Sequence, residues 1–224
     1  MSVYMTEEEQ LETIKKWWKK YGNLITIFLS VVLLCVAGYR YMNWHQDKVK
    51  QQASNAYENM MVAFSNHDIK SVRSYANELT KDYDNTVYAD IAHLTLAKVY
   101  VEKSKLDEAK KELQQVVSNG HMPPLRQIAK IRIARILAAT KDYTNALNEL
   151  SSIDDNTYLP VVNELKGDIY GATGQYQNAI NSYRLAITAV KSNGLGNLFL
   201  EMKTNELANK TQSVIADEKK VQTT

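Results

Sequence analysis

One six-residue pattern recurs three times along the chain, and it leaves few folds open. Ala97, Tyr100, Leu106, Ala109, Leu113 and Val116 set the register. The same offsets return Ala134, Leu137, Tyr143, Ala146, Leu150 and Ile153, then Gly167, Tyr170, Tyr176, Ala179, Tyr183 and Ala186. Successive units are spaced by 37 and then 33 residues, and the two small residues of each stand 12 apart. Small residues at fixed places let two helix backbones approach closely, while large ones fill the space on either side. Each unit therefore predicts two antiparallel helices joined by a tight turn, at residues 103–105, 140–142 and 173–175. One hairpin cannot bury its apolar face alone, so neighbours must stack into a solenoid. A step of 37 residues upstream reaches Met60, Ala63, Ile69, Val72, Ala76 and Leu79, all apolar. They predict a degenerate first unit, whose first helix continues from upstream through Trp44 and Ala56.

The pattern resembles the tetratricopeptide repeat, with its period of about 34 residues, over residues 55–191. It departs from that family at Lys166, a site usually large and apolar, and in lacking most closing prolines. The chain has only three prolines and eight glycines, and it is rich in Ala, Leu, Lys, Asn and Gln. That composition favours helices almost throughout. The expected class is all-α. Asn193, Gly194, Leu195 and Gly196 read as a helix end. Leu198, Phe199, Met202 and Leu207 then run at helical spacing, which predicts an amphipathic helix capping the stack.

A second feature sits upstream. Residues 21–39, YGNLITIFLSVVLLCVAGY, carry no charge. As a helix they span about 28 Å, close to the hydrocarbon core of a bilayer. A charge at the centre of such a helix would cost roughly 2.5–3.5 kcal/mol on the insertion scale. Trp17, Trp18 and Tyr21 flank one end, and Tyr39, Tyr41 and Trp44 the other, as interfacial belts. A cleaved signal peptide fits poorly, because Glu7, Glu8, Glu9 and Glu12 precede the run. Leu34 before Cys35 argues against lipid attachment. Lys15, Lys16, Lys19 and Lys20 crowd one flank, against Arg40, Lys48 and Lys50 on the other. This bias predicts a cytoplasmic N-terminus by the positive-inside rule. The expected division is a cytoplasmic segment 1–20, a transmembrane helix 21–42, a periplasmic repeat domain 43–212 and a polar tail 213–224. Lys15, Lys16, Trp17, Trp18, Lys19, Lys20, Tyr41 and Trp44 are the membrane-interface candidates.

Chemistry leaves little trace. The whole chain has a net charge of +2, and the soluble part is nearly neutral, so there is no basic field for nucleic acid. The lone cysteine, Cys35, lies in the apolar run, so the repeat domain has no disulfide. His45, His67, His93 and His121 are scattered without ligand spacing. Neither a nucleophile elbow nor a phosphate loop occurs, and no complete GxGxxG is present. Catalytic, cofactor and metal sites are all expected to be absent.

A helical solenoid usually works through a groove lined by the first helix of each unit. The register points Ile91, Leu94, Lys98, Ile128, Ile131, Arg135, Val161, Glu164 and Asp168 into it. The first two units are apolar with one base each, and the third turns acidic. The multi-lysine, multi-asparagine set that clamps a terminal carboxylate is missing. The expected ligand is an extended apolar or amphipathic polypeptide, although some of these positions could instead pack the next unit or the capping helix.

The head adds a more specific likeness. Tyr4, then Thr6, Glu7, Glu8, Glu9 and Gln10, then Ile14, Lys15, Lys16, Trp17, Trp18 and Lys19, with Gly22, resemble the opening of the YfgM family. The stretch Met202, Lys203, Thr204, Asn205 is also similar. The resemblance implies a bacterial inner-membrane, single-pass ancillary subunit of the SecYEG translocon. Its partners would be a PpiD-like chaperone and translocating polypeptides. A cytoplasmic response regulator acting through the head is a further implied partner. The alternatives are a regulator of an envelope-stress response, or an adaptor of another cell-envelope assembly complex.

Overall fold

The computed structural model describes residues 7–191 and 198–221. The helix end read at Asn193, Gly194, Leu195 and Gly196 lies outside the described residues, as do Tyr4 and Thr6. Among the described residues there are nine α-helices, one short 3-10 turn at Asn156–Tyr158 and no strand. The helices are α1 (Glu7–Ser65), α2 (Ile69–Asp82), α3 (Val87–Glu102), α4 (Leu106–Asn119) and α5 (Pro123–Ala139). They continue as α6 (Tyr143–Ser151), α7 (Leu159–Ala172), α8 (Tyr176–Lys191) and α9 (Leu198–Val221). The all-α expectation is borne out. The three prolines all stand in the first turn of a helix, in α5 and α7, where a missing N–H has no intrahelical partner to lose.

The chain divides into two compact units, Met1–Gln52 and Ala53–Thr224. In the first, α1 carries the uncharged run and is long and apolar enough to cross a membrane. Its apolar side chains are exposed, Leu24, Ile27, Phe28 and Leu34 among them. The threonine and serine hydroxyls inside the run bond back into the helix: Thr26 Oγ1 donates to the Gly22 carbonyl at 2.7 Å and Ser30 Oγ to that of Thr26 at 2.8 Å. Neither therefore presents an unsatisfied donor to lipid.

In the second unit the hairpins stack in chain order. Ala53, Ala56, Met60 and Ala63 of α1 share an apolar cluster with Val72, Ala76 and Leu79 of α2 and Ala92, Leu96 and Val99 of α3. This is the degenerate first hairpin, complete in the fold. Leu94 and Ala97 on another face of α3 join Ala109 and Leu113 of α4, Ala134 of α5, Ala146 and Leu150 of α6 and Ile169 of α7. An inner helix of a stack is thus buried on two sides, as solenoid packing demands. Ala179, Tyr183, Ala186 and Ile187 of α8 close the series against Leu200 of α9. The capping helix docks by Leu200, Thr204 and Leu207, while Leu198, Phe199 and Met202 remain exposed. The capping expectation holds, but of the four residues the spacing named only Leu207 packs against the stack.

Every hairpin turns in the same way. His67, Ser104, Lys141 and Gly174 have φ of 59°, 57°, 63° and 76°. Around each, one N–H bonds the carbonyl five residues back: Asp68 to Ala63, Lys105 to Tyr100, Asp142 to Leu137 and Gln175 to Tyr170. The left-handed residue itself bonds three back, completing a Schellman motif at each turn. The next helix starts at once. Asp68 and Asp142 cap α2 and α6 by accepting from the N–H of Ser71 and Asn145. The 103–105, 140–142 and 173–175 turns of the register are all found.

Candidate functional site

The first helices of the stacked hairpins are α3, α5 and α7, and they carry the nine groove positions. These fall at three equivalent sets: Ile91, Ile128 and Val161; Leu94, Ile131 and Glu164; Lys98, Arg135 and Asp168. The first set is half-buried in all three units. In the second set, Leu94 and Ile131 are only 7% and 5% exposed and belong to the core, while Glu164 is half-buried. The third set diverges most. Lys98 and Arg135 are exposed. Asp168 instead accepts from Tyr183 Oη at 2.7 Å and from Lys203 Nζ at 2.6 Å. Lys203 comes from α9, so the capping helix neutralises the acidic end of the register. Burial, with the Asp168 hydrogen bond next, pushes the Tyr183 phenol far above its ordinary value.

Lys98 and Arg135 meet at a cleft of about 430 Å³. Ala97, Lys98 and Val101 of α3 form one wall, Arg132, Arg135, Ile136 and Ala139 of α5 the other, and Leu106 and Leu113 of α4 complete it. The small Ala97 and Ala139 leave the space open between the larger side chains. Arg132, which the register did not mark, is half-buried and donates from Nη1 to the Leu94 carbonyl at 3.2 Å. Burial pulls its pKa down, and the neighbouring Arg135 charge adds to the effect. Lys98 Nζ lies 4.8 Å from the centre of the Phe64 ring. The cleft is therefore apolar within and cationic at its rim.

A second, polar cavity of about 570 Å³ lies where the start of α3 meets the end of α4. Asp90, nearly fully buried, accepts from the His121 backbone N–H at 2.7 Å, and its other oxygen is 3.1 Å from His121 Nδ1. His121 Nε2 is 3.1 Å from Asn85 Oδ1. His93 Nδ1 lies 2.7 Å from Glu112 Oε2. The His121 contacts tie the loop after α4 to the first turn of α3 and the loop before it, and the His93–Glu112 contact joins α3 to α4. No group of three His, Cys, Asp or Glu residues converges as a metal site among the described residues.

The membrane-interface candidates all lie on α1, and Lys15, Lys16, Trp17, Trp18, Lys19, Lys20, Tyr41 and Trp44 are all exposed. Trp17 packs on Tyr21 at 5.8 Å between ring centres, and Tyr41 on Trp44 at 6.1 Å. Lys20 and Lys48 sit over Tyr21 and Trp44 at 5.2 and 5.5 Å. The rings and cations that flank the apolar run thus cluster at its two ends.

A stacked series of helical hairpins with an apolar-cationic cleft, on a chain whose described residues hold one membrane-length helix, defines a helical repeat protein. The chain belongs to the tetratricopeptide repeat-like domain family, whose model matches residues 15–209. It is similar to a protein of Escherichia coli named ancillary SecYEG translocon subunit, at 27% identity over 93% of this chain and 100% of the relative. Proteins of the same name in Neisseria gonorrhoeae (25% identity, 92% of this chain, 100% of the relative) and Haemophilus influenzae (26%, 83% and 91%) are also similar. The YfgM resemblance read from the head and anchor is thereby borne out. The relatives' name and the membrane-length helix both fit an inner-membrane protein.

Proposed function

We propose that this protein is a non-enzymatic, membrane-tethered subunit of the SecYEG translocon that holds polypeptide in its repeat groove. The observation that carries the reading is full-length similarity to proteins of that name, spanning anchor and repeats alike. The open cleft between α3 and α5 supports it, because a repeat array acts by offering such a surface. The N-terminus is cytoplasmic and the repeat domain periplasmic, as the lysine cluster at residues 15–20 favours. The polypeptides held are translocating chains, or a PpiD-like chaperone that receives them.

Photo-crosslinkers at Ile91, Lys98, Arg135 and Val161 in the full-length protein, followed by gentle purification, test this. Secretory chains or a membrane-anchored chaperone should be captured, and SecYEG should co-purify. Purification with an unrelated envelope assembly, and no SecYEG, would assign the protein to that machine instead.

A further inference from the structure

Three cations stand at the α3–α5 cleft, and no acidic side chain lines it. Among the described residues, no ion pair is recorded for Lys98, Arg132 or Arg135, whereas Asp168, at the next equivalent position, is matched by Lys203 at 2.6 Å. Arg132 spends one N–H on a backbone carbonyl. Its guanidinium has five donors in a planar fork suited to a carboxylate. A half-buried arginine beside a second arginine is unfavourable while nothing compensates the charge. An incoming anion would relieve that. Between the cations, the walls are Ala97, Val101, Leu106, Leu113, Ile136 and Ala139, which accept only apolar groups. Seven residues up each wall stand Ile91 and Ile128, both half-buried. They extend the apolar track about 10 Å from Lys98 and Arg135, farther than one side chain reaches.

We propose that this cleft selects an amphipathic polypeptide segment in which a large apolar side chain is flanked by carboxylates. The apolar side chain enters between Ala97 and Ala139, and the carboxylates meet Lys98, Arg132 and Arg135. This rests on the groove reading above and names the chemistry of its ligand. It makes the site a filter: acidic-apolar segments are held, while basic segments with the same apolar content are turned away by like charge.

The test uses the full-length protein in detergent and two fluorescent ten-residue peptides. One alternates leucine with glutamate, and the other alternates leucine with lysine. Anisotropy at low salt should show the glutamate peptide binding at least about tenfold more tightly, as expected for a few close charge pairs. The difference should shrink as salt rises. Arg135→Glu and Lys98→Glu alter exposed positions. Each should abolish the preference while the helical circular dichroism stays unchanged, and Arg135→Lys should keep part of it. Equal binding of the two peptides, or preference for the lysine peptide, overturns the charge selection. If neither peptide binds but crosslinkers at Lys98 still capture polypeptide, the selection is again overturned and the groove reading survives. If crosslinkers capture nothing as well, the groove reading itself fails.

Discussion

Gly167 shows how a single residue adjusts the repeat. Its equivalents are Ala97 and Ala134, and sixteen residues after each comes the facing side chain: Leu113, Leu150 and Tyr183. Where that side chain is tyrosine, the small residue shrinks to glycine. A Cβ on Gly167 would lie 2.4 Å from Tyr183 Cε1 and 2.5 Å from Cδ1. The ring cannot swing away freely, because its hydroxyl is bonded to Asp168 at 2.7 Å. Gly167→Ala should therefore destabilise the domain by about 1–3 kcal/mol, the usual range for overpacking. Adding Tyr183→Leu recreates the Ala–Leu pairing of the earlier units and should recover part of that loss. Urea unfolding of the two single variants and the double variant measures the coupling. Strict additivity would mean that the two residues do not share the space described. A second residue-scale effect is set by pH. Burial raises the Glu149 pKa above its ordinary 4.5, with Lys130 opposing. A carboxyl with a raised folded value favours folding below its unfolded value and loses that benefit as pH rises through the folded one. Glu149→Gln should therefore be more stable than the parent at pH 7, and the advantage should vanish below 4.5. Thermal melts at the two pH values decide it.

At the scale of the element, the hairpin turn is the common part. Four turns demand a left-handed residue, and only the last supplies glycine. Open space surrounds the missing Cβ of Gly174. Gly174→Ala should thus cost about 1–2 kcal/mol through backbone conformation alone. Lys141→Gly relieves the same strain and adds roughly 0.5–1 kcal/mol of unfolded-chain entropy against it. A net gain of up to about 1 kcal/mol is expected, read as a higher denaturation midpoint at unchanged slope. The turns were legible because a repeat displays the same local chemistry several times: small residues 12 apart bracket each one. Apolar burial was legible for the same reason, and Ala109, Ala146 and Ala179 are each fully buried. Contacts that occur only once were not legible. Lys203 reaches Asp168 across 35 residues, and His121 reaches Asp90 across 31. The Asp168 position carries Lys98 and Arg135 in the earlier units, so no like pair announced the first contact, and the second has only a neutral–acidic counterpart, Gln127 Nε2 donating to Asp154 Oδ1 at 3.2 Å. Arg132 was missed because the groove offsets skip it. Its one signal was a charge set among Ile128, Ala129 and Ile136 on its own helix face, one turn before the marked Arg135. The docking face of α9 was misjudged for a related reason. Leu198, Phe199 and Met202 outweigh Leu200 and Thr204 in apolar bulk, so of the named positions only Leu207 lies on the face that meets α8, and bulk alone does not say which face that is.

The repeat domain as a whole should behave as a row of neighbours rather than as one block. Its apolar contacts run hairpin to hairpin, and α9 touches the row only at the end, through Leu200 and Leu207 beside Tyr183, Ala186 and Ile187. In a nearest-neighbour array, damage at one end spreads by the interface free energy it removes and fades with distance. Leu200 is fully buried, so Leu200→Ala should cost about 2–5 kcal/mol at this end. It also loosens the helix that brings Lys203 to Asp168. Hydrogen exchange on the full-length protein locates the effect. Amides of α7, α8 and α9 should lose protection, while those of α2 and α3 should keep it, because their apolar cluster contains no residue of the last hairpin. The α3–α5 cleft should keep its peptide preference in the same variant. Uniform loss of protection from α2 to α9 would instead make the domain a single cooperative core, and α9 an integral part of it rather than a cap.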